Sequence, residues 1–363
     1  MLSFDRHGST SKNQRLKGRG IIVTVTESIY GYIDDRPITL YQLTNDRGLG
    51  IHCLDFGSVI TEINMPDRQG NKENVVLSLN TLKEYEENPH YIGAVIGRTA
   101  GRIKSGMLQI EGRDYTLTAN EDFNHLHGGN TGFSHVIWNS RIVEAADEQA
   151  AVEFTYRSPD GEEGYPGNLE MKVTYTLTHN NELIISYQAV CDKDTMVNPT
   201  NHSYFNLSGD GKRPIRNHKL QLDSSFYLEI DEHALPTGEI SRVEGTAFDM
   251  RGGKVIDEVD TSIEFQSEMQ HHKGFDHPFV LDKSQADEII LSHQESGRRL
   301  IIQTTEPAVI VYTGNKIGYS GICLETQSYP DSIRHSHFPS SLLKRGEVYH
   351  SKTRYLFEVM EQI

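Results

Sequence analysis

Residues 169–178 read LEMKVTYTLT. Successive side chains of an extended chain point to opposite faces. Leu169, Met171, Val173, Tyr175 and Leu177 therefore share one face, and Glu170, Lys172, Thr174, Thr176 and Thr178 the other. That alternation predicts a half-buried antiparallel strand. The same period recurs in AVEFTYRS (151–158), ELIISYQAV (182–190), HKLQLDSSFYLEI (218–230), RRLIIQTTEPAVIVYTG (298–314) and TRYLFEVM (353–360). Turn-forming stretches separate the strands: SPDGEEG, THNNE, SGDGKRP, LPTGE and MRGG. Helical signals are few, with a turn or two expected in TLKEYEEN (81–88). Strands do not alternate with helices, which disfavours a doubly wound parallel sheet. The fold class is all-β, a large antiparallel β-sandwich with few short helices.

The chain has 363 residues, enough to bury a large core. No internal repeat or Pro/Ser/Gly linker divides it after residue 21, so residues 21–363 are expected to form one domain. Residues 1–20 carry Arg6, Lys12, Arg15, Lys17 and Arg19 against Asp5, and are expected to be a disordered basic leader. They hold no apolar h-region of the kind export requires, so a cytoplasmic location is expected. No window approaches the length of an apolar membrane span. A net charge of -16 argues against nucleic acid or an anionic membrane surface as partner. Cys53, Cys191 and Cys323 are far apart, odd in number and without CxxC spacing, which reads as buried thiols rather than a disulfide framework.

The chain has no GxGxxG after a strand, no GxxxxGK[ST], no HExxH and no GxSxG. Two HxH pairs, His125/His127 and His335/His337, have the spacing to chelate a metal from a strand. Neither has an obvious further carboxylate or thiolate ligand, and no metal is assigned to them. Four polar groupings remain: Arg98 and Arg102 in GRTAGRI, Asn124, His125 and His127 in NHLHGG, Asp276 and His277 in GFDHPF, and Glu325 in LETQSYPD. A fifth feature is His202, an ionisable ring inside PTNHSYFNLSG (199–209), a stretch otherwise suited to a sheet. Acids, histidines and arginine beside aromatics suit a polyhydroxylated ring, bonded at its edge and stacked on its face.

Taken in order, YIGAVIGRTAGRI (91–103), NHLHGGNTGFSHVIW (124–138), DGEEGYPGNLEMKVTYTLT (160–178), NPTNHSYFNLSG (198–209), LPTGEI (235–240), GFDHPFVL (274–281), VYTGN (311–315) and ETQSYPDSIRHSHFPSSLLKRGEVY (325–349) resemble the aldose 1-epimerase (galactose mutarotase) family. The resemblance implies a mutarotase-like supersandwich with a sugar-binding cleft. It implies an isomerase that interconverts the α and β anomers of free aldohexoses such as galactose or glucose, with no metal or organic cofactor. A monomer or homodimer is expected, a point the resemblance does not decide. It implies Glu325 as general base, His202 as general acid, and Arg102, His127 and Asp276 as sugar-binding residues. Asn124, Tyr204 and Tyr312 are further candidates, and Asn201, Tyr204 and Asn206 are expected to fix the surroundings of His202. A carboxylate beside His202 is expected to favour its charged form.

Three positions depart from the family's common residues: Gly101 where Asn is frequent, Ile310 where some relatives have Gln, and Pro278 where Asn is common. They bear on which sugar is preferred. The alternatives are a non-catalytic sugar-binding or sensing protein on the same fold, and a mutarotase for a disaccharide or a sugar phosphate. A phosphate would call for clustered cations, for which Arg98 and Arg334 are the candidates beyond Arg102. A glycoside hydrolase would need two flanking carboxylates, for which Glu325 and Asp276 are candidates.

Overall fold

The computed structural model describes residues 14–15, 23–143, 148–262, 274–284 and 288–361. The expected basic leader, apart from Gln14 and Arg15, lies outside the described residues. Three antiparallel sheets dominate. A nine-stranded sheet runs in the order Asn139–Val143, Gln149–Ser158, Leu169–Thr178, Glu182–Cys191, Val348–Val359, Arg298–Thr304, Ile289–His293, Lys219–Leu222 and Lys254–Val255. A six-stranded sheet gathers the N-terminal strands from Gln14–Arg15 to Lys72–Asn74 in chain order. A second six-stranded sheet runs Tyr204–Phe205, Ile322–Gln327, Ala308–Tyr312, Asp276–Val280, Phe226–Ile230 and Pro236–Arg242. The stretch LEMKVTYTLT is one strand, with its five apolar residues buried. One apolar core joins all three sheets. Leu43 and Ile51 enter it from the N-terminal sheet, Val173, Ile185 and Phe357 from the nine-stranded sheet, and Phe279, Val309 and Leu324 from the third.

Two expected strands are each divided between sheets. HKLQLDSSFYLEI splits into Lys219–Leu222 in the nine-stranded sheet and Phe226–Ile230 in the third. RRLIIQTTEPAVIVYTG splits into Arg298–Thr304 and Ala308–Tyr312 between the same two sheets. At the first crossing Asp223 departs from the ladder and its carboxylate accepts from the backbone N–H and hydroxyl of Ser284. At the second, Pro307 has no N–H to continue a ladder. Alternation persists through both crossings because each sheet buries one face. The helix Leu82–Glu87 falls within TLKEYEEN. Thr81 caps it, and Glu84 bonds back to the Thr81 N–H, which completes a capping box. Among the described residues no helix is long and apolar enough to cross a membrane.

Candidate active site

The strand Ile322–Gln327 forms the floor of the site. Ile322, Leu324 and Thr326 face the core, where the Thr326 hydroxyl lies 2.6 Å from that of Thr353 on the nine-stranded sheet. Alternation turns Glu325 and Gln327 the other way, into an open cleft of about 810 Å³. The same cleft is lined by Arg102, His127, His202, Tyr204, Asp276 and Tyr312.

His202 sits at a joint rather than inside a strand. Thr200–Asn201 pairs with Val95–Ile96, and Tyr204–Phe205 pairs with Cys323 and Ile322. Between them the His202 backbone donates to Ala94 O and accepts from Gly93 N, at 2.9 and 3.0 Å. Asn201 Oδ1 accepts from the backbone N–H and hydroxyl of Ser203, and its amide donates to Gly93 O. Asn206 repeats the device with Ser208, and its amide reaches the carbonyls of Arg213 and Ser320. The Tyr204 hydroxyl donates to His90 O, and its ring centroid lies 4.9 Å from that of His202. This scaffold brings His202 Nε2 to 3.4 Å from Glu325 Oε1, both side chains being 5% exposed.

The charge of the pair departs from expectation. Burial pushes His202 down to about 4. Burial, with the nearby charge of Asp276, raises Glu325 well above the usual carboxylate range. Both directions favour a neutral pair, with the proton on the carboxyl rather than on the imidazole. The contact is long for a charge-assisted hydrogen bond, and withdrawal from water opposes an ion pair more than a contact of that length supports it.

Arg102 forms a bidentate pair with Glu121, at 2.6 and 2.8 Å, and its Nη1 lies 3.9 Å from Asp276 Oδ2. These acids hold its charge firmly, against the cost of burial. His127 adopts a left-handed backbone, φ 52°, ahead of two glycines. Its Nδ1 accepts from Gly101 N–H at 3.2 Å, so the neutral ring carries its proton on Nε2. Burial, then the neighbouring His202 ring and the Arg102 cation, lower its pKa well below the ordinary value. Tyr91 packs edge-on against the His127 ring with centroids 4.8 Å apart.

Other expected residues lie elsewhere. Asn124 is absent from this cleft: its carboxamide oxygen accepts from Ser105 N–H, and it borders an adjoining hollow with Asp122 and His233. Arg98 is buried and donates to the carbonyls of Ser158, Pro159, Pro166 and Gly167 and the hydroxyls of Ser158 and Thr195. Arg334 donates to the carbonyls of Lys104 and Met107 and pairs with Asp331. Neither arginine serves as a cleft cation for phosphate. His125 is held between Thr118 O and the Tyr165 hydroxyl, and His337 bonds Gly238 O. His277 is buried beside Phe248, on the side of its strand away from Asp276. Glu121, Tyr91 and Gln327 line the cleft without having been anticipated. Glu121 lies in a polar loop that reads as solvated surface. The placement of Tyr91 depends on a left-handed backbone, φ 55°.

The three departures Gly101, Pro278 and Ile310 all line the cleft. Pro278 is registered opposite Ile310, and Ile310 opposite Glu325, which gives the carboxyl an apolar flank. Gly101 has φ 74°, and a Cβ there would lie 2.9 Å from Pro330 Cβ. Among the described residues, one group has metal-ligating chemistry: His202, Cys323 and Glu325, with candidate atoms within 4.8 Å of one another. Cys323 sits at Nδ1 of the imidazole and Glu325 at Nε2. One ion binds one ring nitrogen, so the three do not converge on a single tetrahedral centre.

Residues 39–356 match the family model described as Aldose 1-epimerase. The chain is 40% identical over 357 residues to a galactose mutarotase of Sus scrofa, covering 93% of this chain and 100% of that protein. It is 35% identical over 343 residues to an aldose 1-epimerase of Escherichia coli K12, covering 89% and 96%. A crystal structure of a galactose 1-epimerase from Lactobacillus acidophilus superposes with a TM-score of 0.84 at 31% identity, covering 93% of this chain and all of that one.

Proposed function

The chain belongs to the aldose 1-epimerase family, and from that premise we propose that Glu325 is the base and His202 the acid of its reaction. The protein is an isomerase that interconverts the α and β anomers of free aldohexoses such as galactose or glucose. In the ring-opening direction Glu325 removes the proton of the C1 hydroxyl. The C1–O5 bond breaks, its electron pair stays on the ring oxygen, and that oxygen takes the Nε2 proton of His202. C1 becomes an aldehyde, turns about the C1–C2 bond, and the ring closes on its other face as both protons return. Arg102, the Nε2–H of His127 and Asp276 hold the sugar's hydroxyls.

The observation that carries this reading is a carboxyl and an imidazole, buried and 3.4 Å apart, at the floor of the cleft that Arg102, His127 and Asp276 also line. The pair starts the step as carboxylate and imidazolium and ends it as carboxylic acid and neutral imidazole. Its proton count does not change, since one proton crosses the substrate from one partner to the other. The neutral form that burial favours is the form the pair has in the open-chain state. Sugar hydroxyls bonded to the carboxylate would stabilise the other form, which draws the two states closer in energy.

His202→Asn and Glu325→Gln should each lower the rate above the spontaneous background by roughly 100-fold or more, followed by polarimetry on freshly dissolved anomers. In the parent protein, activity should fall on the acid side near pH 4, where the pair takes up a second proton. It should fall again on the alkaline side, where the pair loses its only one. A folded variant at either position that works at the parent's rate would remove that residue from the mechanism.

A further inference from the structure

Both nitrogens of the His202 imidazole face residues of a single strand. Cys323 and Glu325 are two residues apart on Ile322–Gln327, so they leave it on the same side. Cys323 Sγ lies 3.4 Å from Nδ1 of His202, and Glu325 Oε1 lies 3.4 Å from Nε2. All three residues are buried, Cys323 completely. Tyr204, registered opposite Cys323, packs its ring against the imidazole. Resting on the reading of His202 as the acid, we propose that Cys323 is a positioning residue: its sulfur accepts the Nδ1–H of His202 and reserves Nε2 for the proton that moves.

The reaction itself sets this requirement. An imidazolium that gives its Nε2 proton to the ring oxygen is left neutral with its proton on Nδ1. Ring closure needs that same tautomer, because the Nε2 lone pair must take the hydroxyl proton back. A neutral ring protonated on Nε2 can do neither, yet it is the tautomer that histidine in water favours. An acceptor at Nδ1 reverses the preference. Burial, with the acids Glu325 and Asp276 nearby, keeps Cys323 a thiol, so that acceptor is neutral and weak. A carboxylate in its place would stabilise the imidazolium and blunt it as an acid.

The test uses the whole protein labelled with 15N-histidine, as parent, Cys323→Ala and Cys323→Ser, with the His202 signals assigned by their loss in His202→Asn. At neutral pH the parent should show Nδ1 protonated and Nε2 bare. Cys323→Ala should move the proton toward Nε2 and lower kcat about fivefold, as for one weak hydrogen bond, with KM changed by less than about twofold. Cys323→Ser keeps an acceptor on the same side chain and should restore both the tautomer and most of kcat. A parent ring protonated on Nε2 overturns the proposal, as does an alanine variant with unchanged tautomer. A tautomer that moves while kcat stays constant also overturns it. That last result would locate the error in the role given to His202 rather than in the contact with sulfur.

Discussion

Two arginines four residues apart in GRTAGR do unrelated work, and the difference lies in what surrounds each guanidinium. Arg98 is 2% exposed and its donors are spent on four carbonyls and two hydroxyls of loops that its removal would leave unsatisfied. Burial lowers its pKa, and those dipoles, with Glu162, stand in for a direct counter-ion. Arg102 is partly open to the cleft and paired with Glu121, an acid that water can reach once the arginine is gone. Arg98→Met should therefore cost roughly 3–5 kcal/mol in denaturant unfolding and leave the KM of the folded protein near that of the parent. Arg102→Met should cost about 1 kcal/mol or less, while KM for the sugar rises by roughly tenfold or more. A reversed pattern, with Arg98 controlling KM, would mean that its loops rather than its partner's side chain shape the cleft. The motif alone could not assign these roles. Both residues read as polar side chains beside a strand, and the acceptors of Arg98 come from segments about 60 and 97 residues away.

At the scale of elements, the loop after His125–Leu126 shows how backbone packing sets the site. His127 reaches the cleft from a left-handed backbone, and the chain behind it passes very close to the strand end at Gly97. A Cβ on Gly128 would lie 1.7 Å from Gly97 O, and the residue has φ 87°. Gly128→Ala should cost about 3 kcal/mol or more and raise KM, because the loop must move and carry His127 with it. Gly112→Ala is the control. It has φ 75° but nothing within 4 Å of its Cβ, and should cost only about 1 kcal/mol with KM unchanged. Equal costs for the two, measured as shifts in denaturation midpoint, would show that the left-handed backbone alone matters at Gly128. Much at this scale was legible. The strand Leu169–Thr178 and the helix under TLKEYEEN follow from local periodicity and a capping box. The crossings at Asp223 and Pro307 were not, since alternation continues through them whichever sheet receives the chain. Glu325 and His202 were brought together by resemblance to a family. Nothing local states that Tyr204–Phe205 pairs with Cys323 and Ile322, the register that sets the imidazole beside the carboxyl.

Across the whole molecule, buried ionisable groups pull stability in opposite directions as pH falls. Burial raises Asp331 to about 7 and also raises Asp55, Glu306 and Glu325, so the folded state binds their protons first and gains on acidification. Burial lowers His125, His127, His202, His218 and His293, whose unfolded forms bind protons first, so the folded state loses. These contributions offset one another between about pH 4 and 7, and the total slope says little about either set. A difference measurement isolates one group. His218 lies at the edge of the nine-stranded sheet, outside the cleft, stacked on His293 with centroids 4.7 Å apart. Its Nε2 accepts from Leu207 N–H at 2.8 Å, which fixes the ring as neutral with its proton on Nδ1. Burial and then the charge of His293 take its pKa from an ordinary 6.5 down to about 3. Between those values the unfolded chain holds a proton that the folded chain does not, so this histidine supports the fold fully only above 6.5. His218→Gln removes the titration. At pH 7 the variant should be the less stable, having lost the ring stack. As pH falls from 7 to 4 the gap should close by about 2–3 kcal/mol, since one group with a lowered pKa contributes up to about 1.4 kcal/mol per pH unit. Denaturant midpoints of both proteins at pH 7, 6, 5 and 4 read this directly. A gap that stays constant would mean that His218 finds an acceptor for a second proton in the fold, and that acid sensitivity resides in the other buried histidines.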